Sequence, residues 1–113
     1  MKYFVTGATG FIGGQVALQL RREGHEVHAL VRGTGRGENL SAQGVHLFVG
    51  DITQKDTLRA PMEEVDGVFH VAGWYHIGTK DRRTAFAVNV DGTRNVLETM
   101  KELGVRKLSL IHI

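Results

Sequence analysis

The stretch Thr6-Gly7-Ala8-Thr9-Gly10-Phe11-Ile12-Gly13 constrains this chain more than any other. It stands between a short β-prone run, Tyr3-Phe4-Val5, and a helical pattern from Phe11 to Glu23. In that pattern Ile12, Val16 and Leu20 recur at every fourth residue with Ala17 beside them, and Gln15, Gln19, Arg21, Arg22 and Glu23 are polar. Gly24 follows as a C-terminal cap. Glycines at a strand-to-helix junction have a physical use. The start of a helix carries unpaired N–H groups and about half a positive charge, which together attract a diphosphate. A Cβ at the closest approach would hold the phosphates away. Gly7 then suits the sharp turn, Gly10 the close approach and Gly13 the tight contact of helix on strand. Thr9, Phe11 and Ile12 complete the candidate cradle.

The rest of the chain alternates in the same way. Val27–Val31, Val45–Val49 and Val68–Val71 read as further strands, and a fifth begins at Val105. Residues 33–44 hold four glycines and read as a loop with one helical turn. Lys55–Glu64 reads as a short helix with Pro61 inside it or near its end. Asp81–Leu103 is the longest helical pattern, with Phe86, Val90, Thr93, Leu97, Met100 and Leu103 on one stripe and Asn89 and Val96 beside them. Strands alternating with helices imply right-handed crossovers and a parallel sheet covered on both faces, and continuous apolar runs suit strands buried on both faces.

Composition narrows the function classes. At 113 residues, 42% hydrophobic and 23% charged, the chain can build one core and has no disordered character. Fourteen Lys+Arg against twelve Asp+Glu leave +2, with no clustered basic stripe to grip nucleic acid. No apolar run approaches the roughly 20 residues that span a bilayer, and the N-terminal run is too short for a signal peptide. Without cysteine there is no disulfide framework and no thiolate nucleophile, so the cytoplasm is the expected compartment. Histidines 25, 28, 46, 70, 76 and 112 form no ligand-spaced cluster with acids, and no metal site is expected.

Five stretches taken in order make the reading specific. They are Thr6–Gly13, Gly50-Asp51-Ile52, His70-Val71-Ala72-Gly73, Asn89-Val90-Asp91-Gly92-Thr93 and Val105-Arg106-Lys107. The set resembles the extended short-chain dehydrogenase/reductase family, which includes NAD-dependent sugar-nucleotide epimerases, dehydratases and dihydroflavonol-type reductases. The resemblance implies a Rossmann-type α/β fold, here incomplete, with about five strands in the order 3-2-1-4-5. It implies a bound nicotinamide dinucleotide, with Asp51 and Ile52 at the adenine and Ala72 and Gly73 lining the nicotinamide-side channel.

The end of the second strand bears on which dinucleotide binds. An acid about 20 residues past the glycines would bind the ribose 2′-OH, whereas an arginine accepts a 2′-phosphate. Position 32 is Arg32, and residues 29–33 hold no acid. A guanidinium can hold the extra phosphate through paired hydrogen bonds, so NADP(H) is preferred to NAD(H), with Arg36 as a candidate helper. Ala29-Leu30-Val31-Arg32 also resembles the dihydroflavonol-reductase branch. His70 is expected to pack and hydrogen-bond beside the site rather than act as a general base. Trp74, Tyr75 and His76 could line a substrate pocket or meet a partner. Asn89 could shape the site or touch the cofactor, and the former is favoured.

Catalysis in this family resembles acid–base chemistry by a Tyr-x-x-x-Lys pair after the fifth strand. No such pair occurs here: Tyr3 is expected to be buried in the first strand, and Tyr75 and Lys80 have the wrong spacing and place. No catalytic residue is therefore assigned, and the chain alone is expected to be inactive. Residues 1–107 read as the N-terminal part of a dinucleotide-binding domain whose C-terminal substrate domain is absent. Residues 108–113, Leu-Ser-Leu-Ile-His-Ile, can be encoded by a transposon end used in sequencing libraries, and are expected to be a non-native tail. The longer protein is expected to act on a small molecule by hydride transfer, with a homodimer through the Asp81–Leu103 helix as a possibility implied by the resemblance. The alternative is a non-catalytic NAD(P)-sensing module of the same fold.

Overall fold

The computed structural model describes residues 1–33, 37–72 and 82–112. Five parallel strands form one sheet: β1 (Lys2–Thr6), β2 (Glu26–Val31), β3 (His46–Val49), β4 (Gly67–Ala72) and β5 (Lys107–His112), in the spatial order β3-β2-β1-β4-β5. The strand order is the expected one. Helices α1 (Phe11–Arg22), α2 (Glu38–Ala42), α3 (Arg59–Met62) and α4 (Arg82–Leu103) fill the connections, with a 3-10 turn at Lys55–Leu58 leading into α3. The fold is thus a Rossmann-like α/β arrangement.

The period-2 alternation of the strands sorts side chains onto two faces. Phe4, Leu30 and Val68 point to one side and pack with Leu58, Met62, Val65, Val96 and Met100. Val5, Val27 and Ala29 point to the other and pack with Ala8, Ala17, Leu40 and Val45. The second cluster is rich in alanine, and α1 buries only Gly13 and Ala17, so small residues let this helix lie close to the sheet.

The apolar stripes differ from expectation at their margins. Ile12 is 36% exposed although it belongs to the α1 pattern, because Gly13 and Ala17 form the buried line. On α4, Val90 and Leu97 are exposed, and the buried line runs through Gly92, Val96, Thr99 and Met100. A 3.6-residue period fixes a face only to within about one position, and the sheet selects the narrower line. β3 is not buried on both faces: it is an edge strand, and Val49 is 58% exposed. Lys55–Glu64 is two short turns rather than one helix, ending at Met62, with Glu64 at φ 62°. Pro61 sits in the first turn of α3, where its missing N–H leaves no hydrogen bond unmade. Tyr3 is half-buried rather than buried, and its hydroxyl faces the Met1 sulfur at 3.1 Å.

Candidate functional site

The carboxyl ends of β1, β2, β3 and β4 place the predicted residues along one edge of the sheet. The chain leaves β1 at Thr6 and turns at Gly7 into α1; it leaves β2 at Arg32 and β3 at Gly50-Asp51, while β4 ends at Ala72. β1 and β4 are neighbours in space, and their crossovers run to opposite faces. A crevice therefore opens above β1 at this reversal of winding, where doubly wound sheets bind ligands.

The three glycines of the loop are glycine for three different reasons. Gly7 adopts φ +69°, and a Cβ there would stand 2.6 Å from the Val71 carbonyl oxygen. Gly13 lies directly under the Gly7 carbonyl, and any Cβ would overlap it. Its tight contact is therefore with the turn itself rather than with the strand. Gly10 differs: it has φ −81° and ψ 171°, open to any residue, and among the described residues an added Cβ would meet only the Gly7 carbonyl oxygen, at 3.4 Å. Among the described residues nothing requires glycine at position 10.

Gly10 is the N-cap of α1, makes no side-chain cap, and has no acidic residue in the turn that follows. The first amides of α1 thus point to the crevice with the positive end of the helix dipole behind them. Thr9, Gly10, Phe11 and Ile12 are all exposed there, Phe11 at 81%. Exposed backbone donors beside a position with room for close approach fit a diphosphate group.

Arg32 and Asp51, just past the ends of the adjacent strands β2 and β3, meet at this edge: Arg32 Nε lies 3.8 Å from Asp51 Oδ2. The other carboxylate oxygen, Oδ1, accepts from Thr53 N at 2.9 Å and from Thr53 Oγ1 at 2.8 Å. Partial burial raises the Asp51 pKa, but the two Thr53 hydrogen bonds and Arg32 outweigh it and hold the carboxyl below its ordinary value. An acid therefore stands beside Arg32 in space although none does in sequence. Ile52 is half-buried against the core cluster of Phe4 and Val96.

One arrangement was only half legible. His70 is 1% exposed and bridges two hydroxyls: Nδ1 is 2.6 Å from Thr6 Oγ1 and Nε2 is 2.9 Å from Thr93 Oγ1. A neutral imidazole offers one donor and one acceptor, and each hydroxyl can serve as either, so the chain Thr6–His70–Thr93 is satisfied without charge. His70 is packed and hydrogen-bonded beside the site, as its strand position implied. Its two partners come from the first and fourth motifs of the sequence, and only the register of β1 on β4, Thr6 beside His70, brings them together.

Of the remaining expectations, Gly73, Arg36, Trp74, Tyr75, His76 and Lys80 lie outside the described residues, as do the side chains of Ala72, Phe86 and Asn89. Among the described residues no group of three or more His, Asp or Glu is placed to hold a metal ion, and no helix is long and apolar enough to cross a membrane.

Comparison with known proteins agrees with this geometry. A Synechocystis sp. protein named provisionally as a dihydroflavonol 4-reductase is 39% identical over 105 residues, covering 93% of this chain and 30% of its own length. The crystal structure of a short-chain dehydrogenase/reductase superfamily protein from Agrobacterium tumefaciens with bound NAD superposes with a TM-score of 0.79 at 29% identity, covering 97% of this chain and 32% of that one. The yeast methylglyoxal/isovaleraldehyde reductase Gre2, complexed with NADPH, superposes with a TM-score of 0.83 at 25% identity, covering 97% and 36%. The chain thus spans about a third of the length of these proteins. The sequence profile of the NAD dependent epimerase/dehydratase family matches residues 3–112, nearly the whole chain. With its glycine turn, its strand order and this match in agreement, the chain belongs to the NAD dependent epimerase/dehydratase family.

Proposed function

We propose that this chain is the dinucleotide-binding part of an extended short-chain oxidoreductase or epimerase/dehydratase that acts by hydride transfer on a carbonyl or hydroxyl substrate. The observation that carries the reading is Gly10: its backbone suits any residue and the described residues leave room for a Cβ, which supports a bound group, rather than the fold, as the reason for glycine there. Relatives crystallised with NAD and with NADPH support a nicotinamide dinucleotide in that role. When bound, such a group supplies the hydride acceptor or donor.

The chain's own residues then bind and orient. Gly7, Thr9, Gly10, Phe11, Ile12 and Gly13 would hold the diphosphate through the first amides of α1. Asp51 and Ile52 would meet the adenine, while Ala72 and Gly73 would border the nicotinamide side. Arg32, exposed at the tip of β2, would accept a ribose 2′-phosphate, so NADP(H) is the preferred partner. The small-molecule substrate would be met by parts of the longer protein, and the cytoplasm is its proposed compartment, these 113 residues holding no cysteine for a disulfide framework.

Titration of the chain with NADPH and NADH, followed by nicotinamide fluorescence, tests the assignment. Saturable binding of both, tighter for NADPH, is expected. Absence of saturable binding for either contradicts it, and tighter NADH overturns the 2′-phosphate role of Arg32 alone.

A further inference from the structure

The segment that follows Asp51 is fastened to α4 from several directions. Asn95 Nδ2 donates to the carbonyl oxygen of Ile52 at 2.8 Å. Gly92, one turn earlier on α4, lies so near Ile52 that a Cβ there would overlap the isoleucine Cδ1. Further out, Lys55 pairs with Glu98 at 3.8 Å and with Glu102, and Arg59 pairs with Glu102 at 3.6 Å. Those ion pairs lie at the surface, where screening by water and salt leaves each of them weak. The Asn95 bond is part-buried and grips the peptide directly after Asp51.

The base of the loop is joined to the end of β2, where Gly50 N donates to the Val31 carbonyl oxygen at 2.8 Å and Arg32 pairs with Asp51, and its remaining bonds are internal. Asp51 N donates to Thr57 Oγ1, and the Asp51 carboxylate accepts from Thr53. They give the loop its shape but do not place it on the frame. Asn95 does, because its amide comes from a long helix packed on the core through Val96 and Met100. The glycine loop is tied to the same helix by a separate route, Thr6–His70–Thr93.

We infer that Asn95 is a positioning residue for the adenine half of the dinucleotide, acting through the Ile52 carbonyl to hold Asp51 and Ile52 at the edge of the crevice. The inference rests on the dinucleotide reading given above. Because the two loops have separate ties to α4, loss of the Asn95 bond loosens one and spares the other. Ligands that carry adenine are affected, and the diphosphate cradle is not.

The test uses AMP and inorganic pyrophosphate as probes, titrated by calorimetry into the chain and into Asn95→Asp, which keeps the side-chain shape but lacks the donor. AMP is expected to weaken about fivefold, the equivalent of one hydrogen bond, while pyrophosphate keeps its affinity. Equal weakening of both probes, or of neither, overturns the inference and leaves the dinucleotide reading standing. An unmodified chain that binds neither probe overturns both. Should Asn95→Asp not fold, the Asn95 side-chain amide signal of the unmodified protein is followed by NMR. It is expected to shift on adding AMP but not pyrophosphate, and a signal indifferent to AMP overturns the inference.

Discussion

Gly10 and Gly13 stand three residues apart and answer to different constraints, one external and one internal. A methyl group at Gly13 would overlap the Gly7 carbonyl, so Gly13→Ala must shift α1 or the turn. We expect it to destabilise the fold by about 2 kcal/mol or more, read from urea unfolding; a change below about 0.5 kcal/mol would show that the helix moves freely. Arg32 was legible as a lone cation at a strand end, but its partner was not, since Asp51 arrives from the next strand. Arg32→Asp places a second carboxylate at that corner and is expected to move preference from NADPH toward NADH. Equal affinities for both cofactors in both proteins contradict this. The folded-state pKa of Asp51 is lowered, so its contribution is present above the ordinary Asp value of 3.8 and is lost as the pH falls through the folded value below it. Hydrogen exchange of the Thr53 amide should therefore quicken, relative to its intrinsic rate, as acid is added below that value. Asp51→Ala, which removes the acceptor, should show the quickened exchange already at neutral pH, and a variant with unchanged exchange there contradicts the assignment.

At the scale of elements, the strands and helices were legible because apolar runs and glycine caps mark their ends, and because alternation of the two types admits few topologies. The margins were not. Which of Ile12, Gly13, Val16 and Ala17 faces the sheet depends on how closely α1 approaches, and that distance is set by Gly13 and Ala17 against a surface of alanines and valines. Likewise the periodicity of α4 includes Val90 and Leu97, which the packed helix leaves exposed. The His70 bridge belongs to this scale too, since it joins β1, β4 and α4 through one ring. His70→Ala removes a fully buried side chain and leaves the hydroxyl of Thr6, a residue only 1% exposed, without its imidazole partner. We expect a loss of about 2–4 kcal/mol by urea unfolding, from the void and the lost hydrogen bonds together. A loss under about 1 kcal/mol would mean that the bridge is incidental.

For the molecule as a whole, the sheet has two edges, β3 and β5. β5 is a six-residue strand, Lys-Leu-Ser-Leu-Ile-His, whose outer side meets no further strand among the described residues, and Leu108 on it is 39% exposed. An apolar strand with one unpaired side is a template for self-pairing, so the chain by itself should associate at high concentration, seen as a mass by light scattering that rises with concentration. A monodisperse monomer throughout contradicts this. The central claim is narrower. It holds that Gly10 is glycine because a diphosphate comes close to it. Replacing Gly10 with valine and titrating NADPH, with urea unfolding in parallel, is the most direct measurement. The account predicts that stability falls by no more than about 1 kcal/mol, the difference between glycine and a branched residue at an N-cap, while NADPH affinity drops at least about tenfold. A Gly10→Val protein that holds NADPH as tightly as the unmodified chain would contradict it.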